Sequence, residues 1–304
     1  MNTMDYRLPP VFRGSNYAAA PGSWAMPLWN VAALRAVADG TGIKTAVLDT
    51  GGDIRHPDLA NRIVKSKDFT GSRGGPNDDR NQHGTHCLGT VGAANPDIGV
   101  SQGCDLYCGK VLGDSGSGAD SSIAGGIDWA AAEGCEVISM SLGGGYSPTI
   151  EAACNRASAA GIWVIVAAGN SGSGGVDYPG QLRSCISVAA IDRTFRVANF
   201  SSRGDKLDCS GPGVDIISCK PGGGYQSMSG TSMATPFIAG LMTLLRAAMK
   251  KQNALIGTEE LRALLGSRTV DLGTAGDDND YGPGWCSPLM LAIGLTPPPA
   301  PIAI

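Results

Sequence analysis

Three side chains that could together activate a hydroxyl lie far apart in this chain of 304 residues. Ser232, within Gly230-Thr231-Ser232-Met233-Ala234, stands where an apolar helix is expected to begin, so main-chain N–H groups would converge on its hydroxyl. A serine so placed can be a nucleophile whose developing oxyanion is already solvated. Asp49 ends an apolar run, and His83 opens a Gly- and Ala-rich helix. Asp, His, Ser is one of the orders in which catalytic triads occur.

Each of these residues also has an ordinary structural interpretation. Ser232 could be a helix cap, Asp49 a turn former at a strand end, and His83 a residue of a first helical turn. A zinc site on His83 and His86 is disfavoured, because no glutamate completes a His-Glu-x-x-His motif and the third histidine, His56, lies in a turn. The combination of three matching contexts favours catalysis.

The elements that must position these residues alternate between apolar β-branched runs and Ala-rich helical segments. Strands are predicted near 43–49, 106–112, 136–141, 162–168 and 185–190, and helices near 28–38, 83–93, 121–133, 149–160, 231–250 and 258–266. This alternation predicts a three-layer α/β fold, a mainly parallel twisted sheet with helices on both faces. Asp49, Ser141 and Asn170 fall at the carboxyl ends of strands, where such sheets form their sites.

Composition excludes several classes of protein. A hydrophobic fraction of 42% supports one large core, and a net charge of −4 without a Lys/Arg run argues against a nucleic-acid partner. No uncharged apolar run approaches the length of a membrane span, and the N-terminus lacks the pattern of a secretory signal. Nine cysteines without a CxxC pair argue against a zinc site and favour a reducing, cytoplasmic location, with secretion as the alternative.

Six sequence blocks, in order and with matching spacing, resemble the signatures of the subtilisin-like serine proteases (subtilases, peptidase family S8). They are Val47-Leu48-Asp49-Thr50-Gly51, His56-Pro57-Asp58-Leu59, His83-Gly84-Thr85-His86, Ser139-Met140-Ser141-Leu142-Gly143-Gly144, Ala167-Ala168-Gly169-Asn170 and Gly230-Thr231-Ser232-Met233-Ala234-Thr235-Pro236. The resemblance runs from about Trp24 to about Ile293. It implies that Ser232 is the nucleophile, His83 the general base and Asp49 the carboxylate that orients it. Asn170 would donate a side-chain N–H to the oxyanion.

The resemblance also implies a cleft that binds the substrate as a strand between two edges, Gly116-Ser117-Gly118 and Ser141-Leu142-Gly143. Asp177 would lie at the base of the S1 pocket, which holds P1, the residue before the scissile bond. A carboxylate there favours Arg or Lys at P1, and a solvated loop aspartate is the alternative. Cys87 resembles the cysteine behind the catalytic histidine in the proteinase K branch, and a small buried hydrophobe is the alternative.

Two structural calcium sites are implied by the same resemblance. Asp58 matches the carboxylate ligand of the first, with carbonyl groups of Ala94, Ile98 and Val100, although Pro96 replaces the family's side-chain oxygen donor. The second site centres on Asp208, with carbonyl groups of Arg183 and Cys185. Ca²⁺ at these sites would stabilise the native state without joining the chemistry.

The predicted organisation is an N-terminal extension (residues 1–22), a peptidase domain (23–295) and a Pro-rich tail (296–304). Arg7-Leu8-Pro9-Pro10 resembles the short inhibitory leader of intracellular subtilisins, and a disordered terminus is the alternative. The predicted function is a serine endopeptidase that cleaves peptide or protein substrates through an acyl-enzyme on Ser232. The alternatives are a peptide ligase or macrocyclase on the same triad and a catalytically silent binding pseudoprotease.

Overall fold

A computed structural model of the chain describes residues 5–286. The predicted domain end at residue 295 and the predicted tail of residues 296–304 lie outside the described residues.

The strands in chain order are β1 (Asp5–Arg7), β2 (Phe12–Tyr17), β3 (Lys44–Asp49), β4 (Ile63–Asp68), β5 (Asp105–Lys110), β6 (Ser117–Ala119), β7 (Val137–Met140), β8 (Trp163–Ala167), β9 (Cys185–Ile191), β10 (Cys209–Pro212), β11 (Ile216–Cys219) and β12 (Tyr225–Ser229). Seven of them form a central parallel sheet in the order β10-β9-β8-β7-β3-β5-β4. Two small antiparallel sheets, β1-β6 and β11-β12-β2, lie beside it.

The helices are α1 (Ala25–Leu28), α2 (Val31–Val37), α3 (His83–Gly92), α4 (Asp120–Ala132), α5 (Pro148–Ala159), α6 (Thr231–Lys251) and α7 (Thr258–Arg268), with a 3₁₀ turn at Gly172–Gly174. Successive side chains of a strand point to opposite faces of a sheet. In β3, Val47 belongs to the core under α2, α3 and α6, whereas Ala46 and Leu48 belong to the core under α4 and α5. The three-layer α/β prediction is therefore confirmed.

Helix α6 carries Ser232 and runs through the interior of the molecule. Among the described residues it is the one helix long and apolar enough to cross a membrane, but 94% of its apolar window is buried inside the fold. This burial is that of a core helix, and its packing against β7, β8, β9 and β10 fixes the position of its first turn relative to the sheet.

The predicted elements differ from the observed ones in two respects. The helix predicted at 28–38 is two helices, because Asn30 takes a left-handed conformation (φ 48°) between α1 and α2. The prediction also missed both edge strands of the central sheet, the polar β4 and the short β10, and both antiparallel sheets. An edge strand with one exposed face lacks the continuous apolar run that marks a buried parallel strand.

Helix α3 presents His83 to the site and buries His86 one turn later. The Nε2–H of His86 donates to the Ile216 carbonyl oxygen at 3.0 Å, and burial lowers the pKa of His86 to about 3. His86 therefore stays neutral and acts in packing.

Replacing His86 with Gln should reduce the loss of unfolding free energy that occurs as pH falls. Between pH 6.5 and about 3 the unfolded chain binds a proton at His86 that the native protein does not, so native stability falls as pH falls. Urea unfolding in a Ser232→Ala background, which prevents autolysis, gives the unfolding free energies of the parent and of His86→Gln. The parent's value relative to the variant's should fall by up to about 1.4 kcal/mol per pH unit below pH 6.5. A constant difference from pH 7 to pH 5 would contradict the assignment.

Candidate active site

The carboxyl end of β3 and the first residue of α3 bring Asp49 and His83 together. The Nδ1–H of His83 donates to Asp49 Oδ1 at 2.8 Å, and each residue is only 1% exposed. Asp49 Oδ1 also accepts from the Thr50 main-chain N–H at 2.7 Å. With its proton held on Nδ1, His83 keeps Nε2 as an acceptor, and this buried atom has no partner among the described residues.

A second buried carboxylate, Asp79, fixes the join between β3 and α3, and the sequence analysis missed it. Asp79 accepts from the hydroxyl of Thr50 at 2.8 Å and from the main-chain N–H and hydroxyl of Thr85 at 2.7 Å each. Gly84 approaches so closely that a Cβ there would lie 2.1 Å from the Gly51 carbonyl oxygen. The one sequence signal for Asp79 was its position shortly before His83. An aspartate in a polar loop, however, predicts only a turn.

Ser232 is the second residue of α6 and lies at the same edge of the sheet. Its Oγ donates to the Ser141 carbonyl oxygen at 3.5 Å and makes no hydrogen bond to His83 Nε2 in this structure. Such contacts are often loose without substrate and tighten in the Michaelis complex. The Ser232 main-chain N–H is in the first helical turn, where N–H groups have no partner within the helix.

Asn170 is oriented by the residue next to Ser232. Its Oδ1 accepts from the Thr231 main-chain N–H at 2.9 Å and from the Thr231 hydroxyl at 2.8 Å. The Asn170 Nδ2 lies near Gly230, the residue before α6, and donates to the Pro10 carbonyl oxygen at 2.8 Å. Asn170 Nδ2 and the Ser232 N–H are the two donors that an oxyanion beside Ser232 would use.

Residues 5–17, here called the leader, occupy the cleft that the sequence predicts for substrate. Tyr6 pairs with Gly118 through β1 and β6, Arg7 exchanges two main-chain hydrogen bonds with Gly143 (3.0 and 3.2 Å), and the Leu8 N–H donates to the Gly116 carbonyl oxygen at 2.9 Å. These bonds use both predicted edges, Gly116-Ser117-Gly118 and Ser141-Leu142-Gly143. Beyond Pro10 the leader continues as β2 and pairs with β12, which ends just before α6.

Asp177 lies beside the glycines that line the cleft next to Asn170. A Cβ added to Gly143 would lie 2.8 Å from Asp177 Oδ2, and one added to Gly169 would lie 2.4 Å from the same atom. The carboxylate is half-buried, which raises its pKa, and no hydrogen bond or ion pair to it occurs among residues 5–286. It is a desolvated negative charge without a partner.

Cys87 lies behind the catalytic pair rather than in the cleft. Its Sγ is 3.7 Å from His83 Nδ1 and 3.6 Å from the Ser232 carbonyl oxygen, and the residue is fully buried. Burial raises the pKa of the thiol well above its usual value, so the thiol stays neutral and is a poor nucleophile.

The residues of the first predicted calcium site do not fit Ca²⁺ as they are arranged. The Val100 carbonyl oxygen accepts from Arg35 Nε at 2.9 Å, and the Ala94 carbonyl oxygen accepts from Gln102 Nε2. The Asp58 carboxylate accepts from the Tyr225 hydroxyl at 2.7 Å. Three of the four predicted ligands thus already accept a hydrogen bond, and the one to Val100 comes from a guanidinium whose positive charge opposes a divalent ion close by.

The second predicted calcium site is likewise bound by an arginine. Arg262 donates to Asp208 Oδ1 at 2.6 Å and to the carbonyl oxygens of Arg183 at 3.0 Å and Cys185 at 2.5 Å. Glu259 accepts from the same guanidinium at 2.9 Å. All three predicted ligands are therefore together in space, but their oxygens are hydrogen-bonded to Arg262, so this set also does not fit Ca²⁺ as arranged.

This site combines an Asp–His pair, a serine at a helix N-terminus and an amide donor at one edge of a parallel sheet. The combination is typical of serine hydrolases that use a catalytic triad. The sequence model of the subtilase family (peptidase S8) matches residues 40–284. Because this match covers most of the chain, the chain belongs to the subtilase family, and it is a subtilisin-like serine endopeptidase.

Individual relatives support this membership. Subtilisin Savinase of Lederbergia lenta is 42% identical over 250 residues, which cover 81% of this chain and 88% of that protein. The alkaline protease of Alkalihalobacillus alcalophilus is 42% identical over 250 residues, but these cover 63% of its length. Alkaline elastase YaB of Bacillus sp. (strain YaB) is 44% identical over 239 residues, 77% of this chain and 61% of that protein.

Replacing Asn170 with Ala should lower kcat while leaving KM nearly unchanged, because the donor is needed only when the oxyanion forms. We expect a loss of about 100- to 1,000-fold, the known cost of removing the oxyanion-hole asparagine in subtilisin itself. Steady-state kinetics on a peptide amide give both constants. A variant that loses affinity but keeps kcat would show that Asn170 contacts only the ground state.

Proposed function

We propose that the protein hydrolyses peptide bonds through an acyl-enzyme on Ser232, that it prefers Arg or Lys at P1, and that its leader restrains it. The observation that carries the catalytic proposal is the buried Asp49–His83 hydrogen bond, which leaves His83 Nε2 as a proton acceptor with no partner among the described residues.

In the first half-reaction, His83 Nε2 accepts the hydroxyl proton as Ser232 Oγ bonds to the substrate carbonyl carbon. The oxyanion accepts hydrogen bonds from Asn170 Nδ2 and the Ser232 N–H, while Asp49 stabilises the imidazolium. The carbon–nitrogen bond then breaks, and the amine leaves with the proton from His83. Water repeats the sequence in the second half-reaction, losing a proton to His83 and releasing the acid and the Ser232 hydroxyl.

The first test compares hydrolysis of matched peptide amides by the parent and by Ser232→Ala. The proposal predicts that the parent hydrolyses them and that Ser232→Ala does not. Transfer of the acyl group to an added amine in preference to water would indicate a ligase. No Ser232-dependent reaction, even without the leader, would indicate a pseudoprotease.

The P1 preference rests on the unpaired Asp177 carboxylate beside Gly143 and Gly169. A half-buried carboxylate without a cationic partner is stabilised by a substrate guanidinium or ammonium group that supplies one. Because Asp177 must be ionised for this pairing and its pKa is raised, preference for a basic P1 residue should increase as pH rises through that pKa.

Asp177→Asn should lower kcat/KM for an Arg-P1 peptide amide by about ten- to a hundredfold, since a charge-assisted hydrogen bond is lost, and leave a Phe-P1 amide largely unaffected. Asp120→Asn is the matched control, because Asp120 and Asp177 both raise the pKa of Tyr6 and so lie near the same part of the cleft. An equal loss in the two variants would mean that long-range charge, and not the pocket, sets the preference.

The inhibitory role of the leader rests on its bonds to the substrate edges and to the oxyanion donor. Tyr6 anchors it, being 1% exposed and donating its hydroxyl proton to the Gly145 carbonyl oxygen. Pro10 presents its carbonyl oxygen to Asn170 but has no N–H with which to extend the ladder along Ser141–Gly143. The leader therefore fills the cleft as a poor substrate.

A chain that begins at Pro21 should have a kcat/KM at least about tenfold above that of the full chain, because a tethered strand competes at millimolar effective concentration. Tyr6→Ala should raise activity in the same direction, and a peptide of residues 1–20 should inhibit the shortened enzyme competitively. Equal activity per titrated active site in the long and short chains would remove the inhibitory role.

We also propose a cytoplasmic location, which the nine unpaired and buried cysteines support. Thiol titration of the denatured protein from its native host should give nine free thiols. A lower count in freshly isolated protein would argue for an oxidising compartment.

A further inference from the structure

Helix α2 carries one arginine that serves a loop distant in sequence. Arg35 is half-buried in the last turn of α2, where its Nε donates to the Val100 carbonyl oxygen at 2.9 Å. Its Nη1 and Nη2 each donate to the Pro96 carbonyl oxygen at 3.0 Å, and Nη2 also donates to that of Gly99. One guanidinium therefore donates hydrogen bonds to three carbonyl groups of a single turn.

These bonds differ from an ordinary surface ion pair. The hydrogen bonds of the Arg35 guanidinium within residues 5–286 all go to main-chain carbonyls, and none goes to a carboxylate. Converging carbonyl dipoles repel one another and require a cation or donors among them. Burial lowers the pKa of Arg35 to about 10, which still leaves it charged at neutral pH.

In the turn at residues 94–100 the family resemblance assigns the carbonyl groups of Ala94, Ile98 and Val100 to calcium, and Arg35 holds that of Val100. Pro96 cannot offer the side-chain oxygen of that ligand set, and Asp58 is already hydrogen-bonded to Tyr225. The missing oxygen donor and the Arg35 guanidinium act in the same direction, because both weaken Ca²⁺ binding and the second supplies a positive charge.

We propose that the Arg35 guanidinium is a built-in cation that takes the place of Ca²⁺ at the turn of residues 94–100, so that this turn keeps its conformation without calcium. The turn is tied to α3, since the N–H groups of Val100 and Ser101 donate to the carbonyl oxygens of Thr90 and Val91 (3.0 and 2.7 Å). Arg35 thereby supports the end of the helix that begins at His83.

The first experiment measures hydrogen–deuterium exchange at residues 94–100 in a Ser232→Ala background, with excess chelator present. Arg35→Gln should speed exchange in this turn by about ten- to a hundredfold, because charge-assisted hydrogen bonds are lost. Arg62→Gln is the matched control, since Arg62 also binds only carbonyl groups, those of Gly92 and Cys104, outside the turn. If Arg35→Gln does not fold, Arg35→Lys replaces it and should show a smaller rise confined to the same turn. If hydrogen–deuterium exchange at residues 94–100 is unchanged in the folded Arg35 variant, the proposal is overturned.

The second experiment asks whether calcium and Arg35 compete at this turn, where the Val100 carbonyl oxygen is common to the Arg35 contacts and to the calcium ligands that the resemblance implies. Pro96→Asn restores a side-chain oxygen donor, alone or together with Arg35→Gln. Added Ca²⁺ should slow exchange of the turn in the double variant and leave the single variant unaffected, because Arg35 still holds the carbonyls there. A calcium response of equal size in Pro96→Asn alone would overturn the proposal.

Binding of calcium to the unaltered chain provides the third readout. The shift of the thermal unfolding midpoint between chelator and excess Ca²⁺ should be the same in the parent and in Asp58→Asn, since Asp58 ligates no ion. Any shift caused by ions bound elsewhere is common to both proteins and cancels. A larger shift in the parent would place Ca²⁺ at Asp58 and overturn the proposal.

Discussion

The hydrogen bond between Asp49 and His83 is the interaction on which the site depends, because it joins the end of a central strand to the start of a helix inside the protein. At 2.8 Å and 1% exposure, it fixes both the tautomer and the orientation of the imidazole. Asp79 and the close approach of Gly84 to Gly51 hold the same two elements at this distance. The parallel sheet supplies the rest, since the carboxyl ends of its strands share one edge with Ser232.

Charged side chains lie around this site in two contrasting settings. Arg262 holds all three oxygen groups that the resemblance assigns to the second calcium site, whereas Arg35 holds one of those assigned to the first, the Val100 carbonyl, together with the carbonyls of Pro96 and Gly99 in the same turn. Asp177 is the converse case, a carboxylate left without a cation inside the cleft. A guanidinium is directional and permanently charged, so it can replace an ion where the carbonyl groups are fixed.

The sequence predicted the parallel sheet and the candidate triad because these features are local. Each of the five strands that the sequence predicted is a mainly apolar run, and Asp49, His83 and Ser232 each lie at or next to the end of an element. The contacts that it did not predict join residues far apart in the chain: Asp79 to Thr50, Arg35 to Val100, and β2 to β12. A polar edge strand such as β4 has no periodic apolar signal, and an arginine's partners depend on the path of a loop that only the folded chain defines.

The most direct test of the catalytic account is covalent labelling by a fluorophosphonate, which reacts only with a serine activated by its neighbours. In a chain beginning at Pro21, the Ser232 Oγ should displace fluoride from the reagent, so that the protein gains one phosphonyl group that peptide mapping locates on Ser232. The His83→Ala variant of the same chain should not react. Labelling of the full chain should be slower, because the leader is hydrogen-bonded to both edges of the cleft and to Asn170. An unlabelled protein, or a label on a different serine, would contradict the assignment of Ser232 as the nucleophile.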